Sequence, residues 1–168
     1  MSAMQGLMTF GTAAPMAILE STTDYREIYE RNRHRVYSLA FWMTDNELAA
    51  EELMVSAFLR AFSKEASPLA EDLDRALLAE LREIMPVGHL TVRCAPSERT
   101  LSVRSNIKRC NLERAVVQLP ATERLIFLMH DVEQYDHTRI AVTLGLTEQE
   151  SRSGLHQARL RLRELLAH

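Results

Sequence analysis

The sequence predicts an all-α protein, two small helical domains joined by a linker. Three observations carry that expectation. Leu, Ala, Glu and Arg dominate, all strong helix formers. The five Gly and five Pro are scattered, too few for a turn-dense β-fold. Apolar residues recur at helical spacing through most of the chain. At 168 residues, 46% hydrophobic and 26% charged, the chain is of globular composition, long enough for one ordinary domain or two small ones.

Residues 1–20 are apolar but broken by Gly and Pro and lack a basic start, so they read as an N-terminal tail rather than a secretory leader. A first helix is expected from Ser21 to Asp24 onward, its stripe being Tyr25, Ile28, Tyr29, Val36, Leu39, Ala40 and Met43. Thr44 and Glu47 stand at capping-box spacing and open a second helix, Leu48 to Phe62, with Leu48, Glu52, Val55, Leu59 and Phe62 along one side and Leu53, Ala57 and Phe58 beside them. The short connection predicts an antiparallel pair. Ser67 as N-cap with Pro68 at the first helical position introduces a third helix, marked by Leu69, Leu73, Leu77, Leu81 and Ile84. These three helices make a first domain, 21–86.

No period runs through 87–106, which reads as a linker. The second domain, 107–168, begins with a helix from Asn106 to Leu119; Pro120 ends it and starts another, Ala121 to His130. The closing stretch, DHTRIAVTLGLTEQESRSGLHQARLRLRELL from Asp136 to Leu166, has the form of a helix-turn-helix. Asp136 caps a short helix, Gly145 supplies the left-handed turn, and Thr147 with Glu150 forms a second capping box. On the last helix Arg152, His156, Arg159 and Arg163 share one face. Glu150 has two readings here, the cap partner of Thr147 or an acceptor for a cytosine amine.

Charge is unevenly distributed. Residues 20–85 hold 8 Lys/Arg against 14 Asp/Glu, whereas 107–168 hold 9 against 8, within a total of −3. The last helix has four arginines, 152, 159, 161 and 163, with no acid between them. Cys94 and Cys110 lack metal spacing and the six His do not cluster, so neither zinc nor another metal is expected, nor any cofactor. No nucleophile–base spacing or glycine-rich phosphate loop is present, and the chain is not expected to be an enzyme. No apolar run reaches the length of a membrane span.

Two stretches resemble one family. Tyr25 to Phe62, with Val36-Tyr37, Ala50-Glu51-Glu52-Leu53 and Phe58-Leu59-Arg60-Ala61, is similar to region 2 of extracytoplasmic-function (group 4) sigma factors of the sigma-70 family. Leu112 to Leu166, with Leu119-Pro120, Glu123-Arg124, Ile140-Ala141, Leu144-Gly145-Leu146-Thr147-Glu148 and Leu155-His156-Gln157-Ala158-Arg159, resembles their region 4. The resemblance implies a dissociable subunit of RNA polymerase acting in the cytoplasm. Its partners would be core RNA polymerase, the promoter −35 element and an anti-sigma factor. It implies a polymerase-binding surface at Glu51, Glu52, Met54 and Arg60, with region 2 helping to open the −10 element.

On the helix-turn-helix, the implied DNA-binding set is Thr147, Gln149, Arg152, Ser153, His156, Arg159 and Arg163. Gln149, Arg152, Ser153 and His156 would face base edges, with Arg152 suited to guanine, and Arg159 and Arg163 would contact phosphate.

The chain departs from the family at identifiable places. Ala49 replaces an acid and Val55-Ser56 stand where Gln-Glu is usual. The third helix, LAEDLDRALLAELREIM, lacks the Trp and the basic character expected of a strand-capturing element. Ser151 occupies a position usually apolar, and Gly154 one usually Arg. These departures keep a second reading open, a sigma-like decoy that binds an anti-sigma factor rather than promoter DNA. A third, an ordinary helix-turn-helix repressor, leaves Tyr25 to Phe62 unexplained.

Overall fold

The computed structural model describes residues 14–90 and 109–167. The described residues form seven α-helices and no strand: α1 (Ala14–Thr44), α2 (Glu47–Lys64), α3 (Ala70–Ile84), α4 (Arg109–Val117), α5 (Ala121–Phe127), α6 (His137–Leu144) and α7 (Glu148–Leu166). A π-helical turn, Leu128–Val132, extends α5. Helices α1–α3 pack together, α7 packs on α4, α5 and α6, and the halves meet where α1 touches α4 and α5 and α3 touches α6. Their buried side chains form one contiguous apolar cluster.

The first helix begins at Ala14, earlier than the Ser21–Asp24 start expected, and takes in residues assigned to the tail. Pro15 falls in its first turn, where no intrahelical N–H bond is required. Residues 1–13 lie outside the described residues, as does 91–106 of the expected linker. Of its first four residues, Val87 is buried and Leu90 packs on the core.

The α1–α2 pair is antiparallel, since Tyr25 near the start of the described α1 side chains meets Phe62 near the end of α2 edge-on at 4.8 Å. The cap of α2 is Asn46, not Thr44. The Asn46 side chain accepts from the Ala49 N–H at 2.9 Å, while the Thr44 hydroxyl donates back to the Ala40 carbonyl at 2.9 Å. Asp45 between them takes a left-handed φ of +53°, which Asp tolerates better than most residues. At α3 the expected Ser67–Pro68 start is also displaced. Leu69 is the N-cap, and Asp72, three residues on, reaches back to accept its N–H at 2.9 Å, supplying the acceptor that a Leu side chain lacks.

The largest correction concerns which face of α2 is buried. Ala50, Leu53, Ala57, Phe58 and Ala61 face the core. Leu48, Val55 and Leu59, expected among the core-facing side, are 66%, 49% and 67% exposed. Both sets have helical spacing. Three alanines on the buried face let α2 approach α1 and α3 closely, and the packing gained by close approach decides between the two faces.

In the second half the capping chemistry matches expectation. Asp136 accepts from the Arg139 N–H at 2.7 Å. Gly145 has φ +70°. The Thr147 hydroxyl accepts from the Glu150 N–H at 3.1 Å, while Glu150 accepts from the Thr147 N–H at 2.8 Å. The carboxyl of Glu150 is accordingly held below the usual carboxylate range, first by the backbone bond to Thr147. The cap reading of Glu150 is thus the one the geometry realises.

Candidate nucleic-acid interface and docking face

The helix-turn-helix is braced by the π-helical turn. An extra residue in the turn widens it, so that the Glu133 N–H bonds to the Leu128 carbonyl at 3.0 Å and the Tyr135 N–H to the Met129 carbonyl at 2.8 Å. This carries His130 and Asp131 to the side of α7. Asp131 takes both Nη2 and Nε of Arg159, at 2.6 and 3.1 Å, and lies 2.7 Å from His130 Nδ1. Its carboxyl is held low: burial opposes this, but the bonds to Arg159 and His130 outweigh it. The His130 ring stacks on His137 with centroids 4.7 Å apart, and His137 Nδ1 is 2.9 Å from the Ser151 hydroxyl. Thr138 adds a 2.7 Å bond to Glu148. Two side-chain contacts, His137–Ser151 and Thr138–Glu148, therefore set how α7 sits on the first helix of the motif, and Arg159–Asp131 ties α7 to the π-turn.

Two residues that depart from the family pattern acquire a physical explanation. Ser151 is wholly buried, and its hydroxyl is satisfied by His137. Gly154 is the point where α7 crosses α5: a Cβ there would lie 2.5 Å from Ile126 Cδ1 and 2.9 Å from Leu90 Cδ2. The helix gives up propensity at Gly154 to gain close packing. Gly154→Ala is therefore expected to gain none of the roughly 1 kcal/mol that this swap yields in an open helix. The urea midpoint checks it, and a clear rise would show that the crossing is not tight.

His137 makes the motif sensitive to pH. Its imidazole is held below the ordinary value of 6.5, by burial first and then by the charges of His130, Arg152 and Arg159. Between the lowered folded value and the unfolded value the unfolded chain binds more protons, so stability rises with pH. The contribution is whole above about pH 6.5 and is lost as pH falls through the folded value. The melting temperature should decline as pH falls below that point. His137→Asn should flatten the decline, and an unchanged slope would remove His137 as its source.

The recognition helix presents Gln149, Arg152, His156 and Arg163 to solvent. Ser153 is half-buried and Thr147 is committed to its cap. Arg152 pairs with Glu148 at 3.7 Å on the surface. Arg159 differs: it belongs to the same face but is clamped by Asp131. That partner lies in the π-turn, which no helical or strand period in the sequence announces.

In the first half, Glu51 and Glu52 are exposed on α2. Met54 lines a shallow cleft of about 400 Å³ with Tyr29, Arg33, His34, Tyr37 and Val55. Arg60 turns to Glu80 of α3 at 2.5 Å and tethers the two helices. Leu48, Val55 and Leu59, absent from the expected docking set, run along the same outer face. Their signal in the sequence is the second apolar stripe of α2.

These features define a two-part helical protein whose second part has the form of a helix-turn-helix. Residues 111–162 match the family model described as Sigma-70, region 4. The chain is also 24% identical to the ECF RNA polymerase sigma factor SigE of Mycolicibacterium smegmatis over 177 aligned residues, covering 96% of this chain and 68% of that relative. Both likenesses are to sigma factors of the sigma-70 family and support a role in transcription initiation. Among the described residues no helix is long and apolar enough to cross a membrane.

Proposed function

We propose that the protein is a cytoplasmic sigma factor that docks on core RNA polymerase through the outer face of α2 and reads the −35 element with α7. The observation that carries the docking reading is the uncovered stripe of Leu48, Val55 and Leu59, flanked by Glu51 and Glu52. Apolar residues at i, i+7 and i+11 on one exposed helix face, rimmed by charge, have the form of a partner-binding surface. For α7, the support is the solvent-facing row Gln149, Arg152 and His156 in the N-terminal half, where helix-turn-helix proteins meet base edges.

The test is co-purification with core RNA polymerase at moderate salt, where charge-driven association is screened. A retained complex that initiates at a promoter supports the reading; no binding to core overturns it.

One observation favours the decoy reading. The outer side of α3 is acidic at Glu71 and Glu83, and its two arginines are engaged, Arg75 by Asp72 at 2.6 Å and Arg82 by the Leu144 carbonyl at 3.0 Å. Such a helix repels phosphate and offers no aromatic platform for an unpaired base. A decoy would capture an anti-sigma factor and leave promoter DNA unbound.

A further inference from the structure

A stacked pair of imidazoles lies where α6, α7 and the π-turn meet. The rings of His130 and His137 are 4.7 Å apart with their planes 24° from parallel. Both residues are half-buried, so solvent protons can still reach them. His130 Nδ1 meets Asp131 at 2.7 Å, and His137 Nδ1 meets the Ser151 hydroxyl at 2.9 Å. A hydroxyl donates or accepts by rotating, so Ser151 suits either protonation state of His137. The stack can therefore be neutral or carry one proton, while a second is resisted by like charge across the rings.

The other charges at this corner come in pairs. From α7, Arg159 is matched by Asp131 of the π-turn, and Arg152 by Glu148. On α3, Glu71 and Asp74 are taken by Arg139. Asp136 spends its carboxylate on the first turn of α6, at the Arg139 N–H. His156 stands apart, exposed on α7. With the fixed charges matched, a proton on the stack shifts the charge of the corner by one.

DNA would favour that proton. In a helix-turn-helix the first helix crosses the phosphate backbone while the second enters the groove. His137 is the first residue of α6, and its stacking partner holds the acid that clamps Arg159 of α7. In the free protein, burial and the nearby cations keep the His137 proton off. A phosphate brought within about 4–6 Å favours the charged imidazole about tenfold or more. Proton binding and DNA binding then strengthen each other, as linkage requires.

We propose that the His130–His137 stack makes DNA binding proton-coupled, taking up one proton as α7 seats on the duplex. The coupling rests on the DNA-reading role proposed above for α7. It also opposes the effect of acid on the free fold: the proton that weakens the unbound motif strengthens the bound one.

The probe is a short duplex enriched from random sequence by the full-chain protein, with affinity read by fluorescence anisotropy at fixed ionic strength. Binding of the unmodified protein should tighten about three- to tenfold from about pH 8 to about pH 6. His137→Asn should bring that ratio close to one, and His130→Gln gives the same reading should His137→Asn fail to fold. His156→Asn should cost affinity at both pH values and keep the ratio. Calorimetry in two buffers of different ionisation enthalpy counts the proton directly. The coupling alone is overturned if the unmodified protein binds the duplex equally at both pH values or takes up no proton. It is also overturned if the ratio survives in both stack variants, or if His156→Asn abolishes it. If no duplex is enriched at either pH, the DNA-reading role of α7 fails and the coupling falls with it.

Discussion

Leu59→Glu should lower affinity for core RNA polymerase about a hundredfold while leaving the protein's own stability almost unchanged. The separation of the two effects is the point. Leu59 is 67% exposed, so a glutamate there meets water in the free protein. Substitutions at such sites usually change stability by no more than about 0.5 kcal/mol. In a complex the same carboxylate would be driven against a partner with no cation prepared for it, and burying an unpaired charge is far more costly than losing an apolar contact. Leu48→Glu, one α2 turn from Glu51 and Glu52, should behave alike. Leu53→Glu provides the contrast: Leu53 is 8% exposed, and its loss should act by unfolding. Binding assays paired with thermal melts distinguish these cases. Full retention of core binding in both exposed variants would show that α2 does not dock there.

What the sequence discloses and what it withholds differ for physical reasons. Caps and turns are local, so the Asp136, Gly145 and Thr147–Glu150 devices can be read directly, and with them the helix-turn-helix. Helix α2 is harder because it has two apolar faces of the same period. Larger side chains draw the eye to Leu48, Val55 and Leu59, whereas close packing selects Ala50, Ala57 and Ala61. At the candidate DNA surface, the spacing places Arg152, His156, Arg159 and Arg163 on one helix face. The spacing cannot show that Asp131 has already claimed Arg159. That pairing depends on the π-turn and on a separation of 28 residues. The same holds for the Arg35–Asp74–Arg139 cluster, which joins α1, α3 and α6 and has no local signature.

Arg152→Ala and Arg159→Ala should therefore fail in different ways. Arg152 is free of any strong partner, sits in the first turns of α7, and is of the type that pairs bidentately with guanine. Its removal should weaken binding to the preferred −35 sequence by about 1–3 kcal/mol and relax discrimination at one base pair. Arg159 is neutralised by Asp131 before DNA arrives, so its removal should lose little direct phosphate contact. The expected result is instead loss of the brace between α7 and the π-turn, seen as a lower melting temperature. Asp131→Asn makes the converse case: it frees the guanidinium for phosphate and should steepen the salt dependence of DNA binding by about one unit of log–log slope. Salt titrations of unmodified protein, Arg152→Ala and Asp131→Asn on a selected promoter fragment decide it. A salt slope in Asp131→Asn equal to that of the unmodified protein would mean Arg159 never reaches the backbone. Uniform weakening on every sequence by Arg152→Ala would make Arg152 a phosphate contact rather than a reader.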